Sequence, residues 1–221
     1  MDLREGKKRI RLLKKSVLLI SLGAVLMISS LALLFINSNR LETKKNRAIA
    51  LESKLQGENK HDKENKSKPN LYAKDADRID DSNAIGVIRI DDIDVVMPIF
   101  SNTDEDSLLE GCGVLDDTDV PSDKEDTISV LSGHRGGRND NFSFMNIDKL
   151  KEGSKIKITT ENQILYYEVY GYEIIDSTDW SRFVREKDKA KLYLMSCHPY
   201  PYNYQRLLVK SELKDYVDKA E

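Results

Sequence analysis

Val17 to Ile36 is a run of 20 residues without a charged side chain, and no other feature restricts this chain as strongly. At 1.5 Å per residue, about 20 apolar residues in a helix cross the ~30 Å hydrocarbon core of a bilayer. A cleaved signal peptide would have a shorter apolar region, about 7–15 residues, ending at a small-residue site. Phe35-Ile36-Asn37-Ser38-Asn39 is a poor site of that kind, so the run reads as an uncleaved anchor. Residues 1–15 hold seven basic side chains against two acidic ones. Basic flanks stay in the cytoplasm, which puts the N-terminus inside and residues 37–221 outside. The whole chain carries −3, so the part after residue 15 carries −8. An acidic body lacks the electrostatic footprint of a nucleic-acid binder.

The anchor also limits where a core can form. Residues 37–83 are strongly polar and read as an extracellular stalk. Leu41, Ala48, Leu51 and Leu55 have helical spacing, so a short helix can begin it. Gly57 to Pro69 has no large apolar residue and reads as a flexible tether, with His61 a solvated linker residue. The folded domain is expected over 84–215, with a short tail at 216–221. Within it, strands are expected at Ile85–Ile90, Val95–Phe100 (with Pro98 marking an edge or bulge), Gly111–Leu115 and Thr127–Ser132. Further strands are expected at Lys155–Thr159, Leu165–Tyr172, Leu192–Ser196 and Leu207–Val209. One or two helical turns are expected at Asp104–Glu110, a helix at Phe142–Leu150, and another around Trp180–Arg185. Many short strands with few helices describe an all-β domain, a small barrel or a sandwich.

Chemistry concentrates where a strand ends in Ser196-Cys197-His198-Pro199-Tyr200-Pro201. Proline has no N–H for a sheet ladder, so the strand stops there and presents the thiol at its terminus. A Cys112–Cys197 disulfide is compatible with an exported chain. The alternatives are a small buried residue for Cys112, set between two glycines, and a nucleophile for Cys197. A thiol ordinarily ionises near ~8.5, so a nucleophile benefits from a nearby imidazole. His134, after Gly133 at the end of another strand, is better placed than His198, whose side chain should leave the opposite face from Cys197. Arg206 opens the following strand and can steady an oxyanion with a charge it never loses. A surface ion pair is the plain alternative, and Arg135 and Arg138 are other candidates for the cation.

These residues resemble the sortases, membrane-tethered cysteine transpeptidases of Gram-positive bacteria. Val130-Leu-Ser-Gly-His-Arg-Gly136 is similar to the family's histidine motif. Tyr193-Leu-Met-Ser-Cys197 is similar to its Thr-Leu-x-Thr-Cys motif, with Tyr193 and Ser196 replacing the threonines. Arg206-Leu-Leu-Val209 resembles the arginine strand, and Ile85–Ile90 the first barrel strand. The resemblance implies a closed eight-stranded β-barrel over 84–215, behind one transmembrane helix. It also implies Cys197 as nucleophile, His134 as acid–base group and Arg206 as oxyanion or substrate stabiliser. No cofactor is implied. The substrates implied are secreted surface proteins or pilins bearing a Leu-Pro-x-Thr-Gly-like sorting motif. The acceptor implied is a lipid-linked peptidoglycan precursor or a pilin amine, at the cell membrane. The rivals are a tethered cysteine endopeptidase that uses water, and a barrel that only binds peptide. Gly-His-Arg-Gly and Cys-x-Pro-Tyr resemble the pilin-polymerising class C, whereas a lone N-terminal anchor resembles class A. Neither the Asp-Pro-aromatic lid nor the C-terminal span of class C is found, and Arg78–Asp81 is the nearest candidate lid. The acidic loop Asp116–Asp126 resembles the calcium-binding region of some class A members; the alternative is a solvated loop.

Overall fold

A computed structural model describes residues 3–57, 83–136 and 143–219. The expectations for 58–69, His61, Arg78–Asp81 and Arg138 lie outside these residues. The chain divides into two units, residues 1–42 and 43–221. In the first, helix α1 (Leu3–Leu55) begins and carries the apolar run. Its side chains from Leu19 to Ile36 are exposed throughout, as a membrane span requires.

The second unit holds the last turns of α1 and eight strands: β1 (Ala84–Ile90), β2 (Val95–Phe100), β3 (Cys112–Val114) and β4 (Thr127–Ser132), then β5 (Lys155–Thr160), β6 (Gln163–Asp176), β7 (Ala190–His198) and β8 (Gln205–Asp218). They close in the order β1-β2-β3-β4-β7-β8-β6-β5. The β2–β3 and β4–β7 pairs are parallel and the others antiparallel. A short helix α2 (Glu105–Glu110) precedes β3. The all-β reading and the eight strands therefore hold. Strands β6 and β8 run longer than expected, because their polar ends pair with each other from Gln163↔Asp218 to Asp176↔Gln205. The end of β8 from Lys214 to Asp218 is exposed, and pairing of that kind leaves no hydrophobic pattern. Pro98 pairs with Val87, beyond the short stretch where β2 meets β3, so no partner asks for its missing N–H.

Two expected helices are absent. Residues 143–150 form turns and a single 3-10 turn at Ile147–Lys149. Phe144, Ile147 and Leu150 are buried as their spacing suggested, but into the barrel domain rather than along a helix. The Phe144 N–H donates to the His134 carbonyl at 2.9 Å, and Ser143 Oγ accepts from the Met145 N–H at 3.2 Å. A stretch this short cannot recover the cost of helix nucleation against such partners. The 177–189 connection also has turns only. Asp179 Oδ1 accepts from the Ser181 N–H at 3.0 Å and from its hydroxyl, a local bond that competes with a helix.

β4 and β7 are buried on both faces, which explains why β7 reads as an almost unbroken apolar run. One face, with Leu131, Leu192, Leu194 and Val209, fills the barrel. The other carries Ile128, Val130, Tyr193, Met195, Leu208 and Ile175, against which Leu115 and Phe183 pack. Phe183 belongs to the 177–189 connection, so this second face is the barrel's outside.

The stalk region is partly structured. Ala48 and Glu52 of α1 are buried in the second unit. Glu52 accepts from Arg89 Nε at 3.0 Å and pairs with Lys157 at 2.7 Å, joining the helix to β1 and β5. Lys44 pairs with Glu110 at 2.9 Å, and both are about nine-tenths buried. Glu52→Gln leaves two cations facing an uncharged amide. The expected cost is about 2 kcal/mol, the scale of hydrogen bonds to charged groups. Urea denaturation should show a lower midpoint with an unchanged slope.

Candidate active site

The site follows from strand register. β4 and β7 run parallel from Thr127↔Ala190 to Ser132↔Met195. The ladder then continues past the end of β4, with the Gly133 N–H donating to the Met195 carbonyl at 3.1 Å. Ser196 Oγ donates to the Gly133 carbonyl at 2.8 Å and locks the two chains together. Two residues beyond Ser132 and Met195 stand His134 and Cys197. On the other side of β7, Cys197 faces Arg206 of β8 directly. Cross-strand partners project from the same face. This face is the outer one that carries Tyr193, Met195 and Leu208. His134, Cys197 and Arg206 thus sit at one end of the barrel, and all three are partly exposed.

Glycine is needed where the histidine segment passes the core. A Cβ on Gly133 would lie 2.6 Å from the Phe144 ring. Gly136 has φ +81°, and a Cβ there would meet the Tyr200 ring at 2.5 Å, so the segment after His134 lies against the β7–β8 loop. That loop turns through Asn203, at φ 62°, whose N–H donates to the Pro199 carbonyl at 2.8 Å.

The candidate cations separate clearly. Arg206 Nη1 donates to the Asn203 and Gln205 carbonyls at 3.2 and 2.8 Å. No carboxylate among the described residues pairs with it, so its charge is held in place and not neutralised. Arg135 is instead buried and bonded to Asp148 and His198. Nothing in the sequence signalled these partners, since Asp148 reads as an ordinary polar residue.

Both cysteines are free. Cys112 is wholly buried with its thiol 3.7 Å from the Pro98 carbonyl, and burial pushes its ionisation far up. It is a packing residue. Cys197 is partly exposed at the strand end.

The acidic loop is tied down by protein groups. Asp119 takes a bidentate contact from Arg185 at 2.9 and 3.0 Å and accepts from the Ile128 N–H. Asp126 accepts from the Asp188 N–H at 2.7 Å. Among the described residues, no three acidic, histidine or cysteine side chains converge as ion ligands would.

A family model described as the Sortase domain matches residues 88–214. The chain belongs to the sortase family. It is 30% identical over 119 residues to sortase D of Bacillus subtilis (strain 168), covering 54% of this chain and 57% of that one. It is 28% identical over 141 residues to sortase A of Listeria monocytogenes serovar 1/2a (strain ATCC BAA-679 / EGD-e), covering 64% and 61%. The chain thus spans less than two thirds of the length of either curated relative. The solved structure of Clostridium perfringens sortase C with the C-terminal cell wall sorting motif superposes with a TM-score of 0.57 at 29% identity. It covers 80% of this chain and 90% of that one. The closed barrel agrees with this fold.

Hydrogen bonds from Arg185 hold the Asp119 carboxyl below the usual carboxylate range, against the opposing effect of its partial burial. A depressed folded value means the contact stabilises fully above the unfolded value, near ~3.9, and is lost as pH falls through the folded one. Trp180 is the only tryptophan and lies in the connection that Arg185 tethers. Its fluorescence should change on acidification below pH ~4. Asp119→Asn should already show the released signal at pH 7 and lack that transition.

Proposed function

We propose that this chain is a cysteine transpeptidase. On this reading it cleaves a Leu-Pro-x-Thr-Gly-like sorting motif between Thr and Gly and passes the acyl group to an amine. The observation that carries the proposal is the direct pairing of Cys197 with Arg206 on the face and at the end where β4 delivers His134. The C. perfringens sortase C solved with a sorting motif supports the substrate class.

The outer-face cluster is buried under Leu115 and Phe183 of the 177–189 connection and supports the strand end that carries Cys197. On this reading the sorting peptide lies in a groove walled by the strands around the partly exposed Cys197 and by that connection. The Cys197 thiolate attacks the Thr carbonyl carbon, and the oxygen takes the negative charge. Arg206, pinned by two backbone carbonyls, donates to that oxygen. The intermediate collapses by breaking the C–N bond, and protonated His134 gives its proton to the departing glycine amine. A thioester remains on Cys197. His134, now neutral, takes a proton from the acceptor amine as it attacks, and the thiolate leaves. No net acid or base is consumed.

The acceptor on this reading is the amine of a lipid-linked peptidoglycan precursor or a pilin lysine. The apolar helix anchors the chain in the cell membrane, with the basic N-terminus in the cytoplasm and the barrel outside. Enzyme, sorting protein and lipid-linked acceptor then share one surface, which raises their effective concentration.

The test is product analysis with a sorting peptide, with and without a high concentration of an amine. The proposal predicts an amide-linked product that grows with the amine. Hydrolysed peptide alone at saturating amine would identify an endopeptidase instead. Cys197→Ala should abolish both products. His134→Ala and Arg206→Ala should lower kcat/KM by about 10²–10³-fold, the scale of losing one oxyanion donor or one acid–base group.

A further inference from the structure

Arg135 stands beside the site and performs none of the steps above. Its side chain is 6% exposed, and two elements meet on its guanidinium, the 3-10 turn Ile147–Lys149 and the end of β7. Nη2 pairs with Asp148 Oδ2 at 2.9 Å, in the 3-10 turn that follows the histidine segment. Nη1 lies 2.9 Å from His198 Nδ1 and 3.5 Å from the Cys197 carbonyl oxygen. Nε is buried and finds no partner among the described residues. Burying a guanidinium is costly, so one held this way does structural work on whatever it joins. What it joins is the residue after His134 to the peptide that follows Cys197.

The chemistry of the pair fixes more. A guanidinium has donors only. His198 Nδ1 must therefore accept, which puts the ring's single proton on Nε2. An imidazolium would have no lone pair to offer and would set two cations 2.9 Å apart. The clamp thus requires one tautomer of His198 and one orientation of the 197–198 peptide.

We propose that Arg135 is a positioning residue for Cys197, acting through His198 and the Cys197 carbonyl to hold the thiol-bearing strand end at a fixed spacing from His134. This deepens the reading of Cys197 and His134 as the reacting pair and rests on it. Asp148 supplies the second anchor, so that the guanidinium does not swing toward solvent. His198, poorly placed to activate the thiol, serves as the acceptor the clamp needs.

The experiment uses the full chain and needs no peptide substrate. The rate of Cys197 alkylation by iodoacetamide at pH 7 is measured for the wild type and for Arg135→Met, Arg135→Lys, His198→Asn and His198→Leu, with circular dichroism confirming the fold. Imidazole nitrogen shifts of the ¹⁵N-labelled chain report the His198 tautomer. Arg135→Met and His198→Leu should each slow alkylation by about tenfold or more, since displacements near 1 Å cost up to ~10²-fold. Arg135→Lys should fall between them and the wild type. His198→Asn, whose amide oxygen can replace Nδ1 as acceptor, should stay close to it. Wild-type His198 should carry its proton on Nε2, and Arg135→Met should show both tautomers. Alkylation at the wild-type rate in folded Arg135→Met, or in His198→Leu if the first variant does not fold, overturns the proposal. A wild-type proton on Nδ1 overturns it as well. A chain that passes this test yet transfers no sorting peptide fails as a transpeptidase while keeping the clamp.

Discussion

The parallel hydrogen-bonded pairing of β4 with β7 is the constraint on which the site depends. It fixes how far along the barrel wall each strand ends, and so brings His134 level with Cys197 across 63 positions of sequence. The antiparallel pairing of β7 with β8 then sets Arg206 opposite the thiol. A slip of one residue in either pairing would turn a whole strand over and send its side chains to the other face. Register is resistant to slippage here because both faces of β4 and β7 are buried, one against the barrel interior and one beneath Leu115 and Phe183.

Burial on two faces has a second consequence. The outer cluster is covered by Leu115 and by Phe183 of the 177–189 connection, and that connection has no regular structure to hold it. Its attachments include the Asp119–Arg185 and Glu173–Arg182 pairs, the bond from the Asp188 N–H to Asp126, and the contact of Glu186 with Lys191, beside which Lys189 of the same connection also binds Glu186. The two lysines hold the Glu186 carboxyl down at about 2. The acidic loop before β4 therefore acts as an anchor for the wall of the peptide groove. Its Asp119 and Asp126 carboxylates are occupied by Arg185 and by backbone amides of the protein itself.

Much of this was legible in the chain. The uncharged run, the strand-ending prolines after Cys197, and the Gly-His and Cys–Arg segments carry local signals that survive folding. The 14-residue strands β6 and β8 exceed the lengths their apolar runs suggest, because the end of β8 from Lys214 to Asp218 is exposed and Ile175, the one buried residue in the added end of β6, stands between exposed neighbours. The helices expected at 142–150 and 180–185 failed for a different reason. Apolar spacing there serves tertiary packing of Phe144, Ile147 and Phe183, while Ser143 and Asp179 bond locally and compete with the helix. The polar composition at the end of α1 suggests a stalk, whereas Glu52 is buried between Arg89 and Lys157. Partners so far apart in sequence leave no pattern to read. The same holds for Arg135, whose meeting with Asp148 and His198 exists only in three dimensions.

Disulfide formation between Cys197 and a cysteine placed on β8 tests the register most directly. Opposed residues on neighbouring antiparallel strands have Cα atoms about 4.5–5.5 Å apart, within the range a disulfide spans. Arg206→Cys should cross-link to Cys197 rapidly under mild oxidation, whereas Leu207→Cys, on the opposite face, should remain a free thiol. Efficient cross-linking at position 207 with none at 206 would contradict the pairing, and with it the convergence of His134, Cys197 and Arg206 on one end of the barrel.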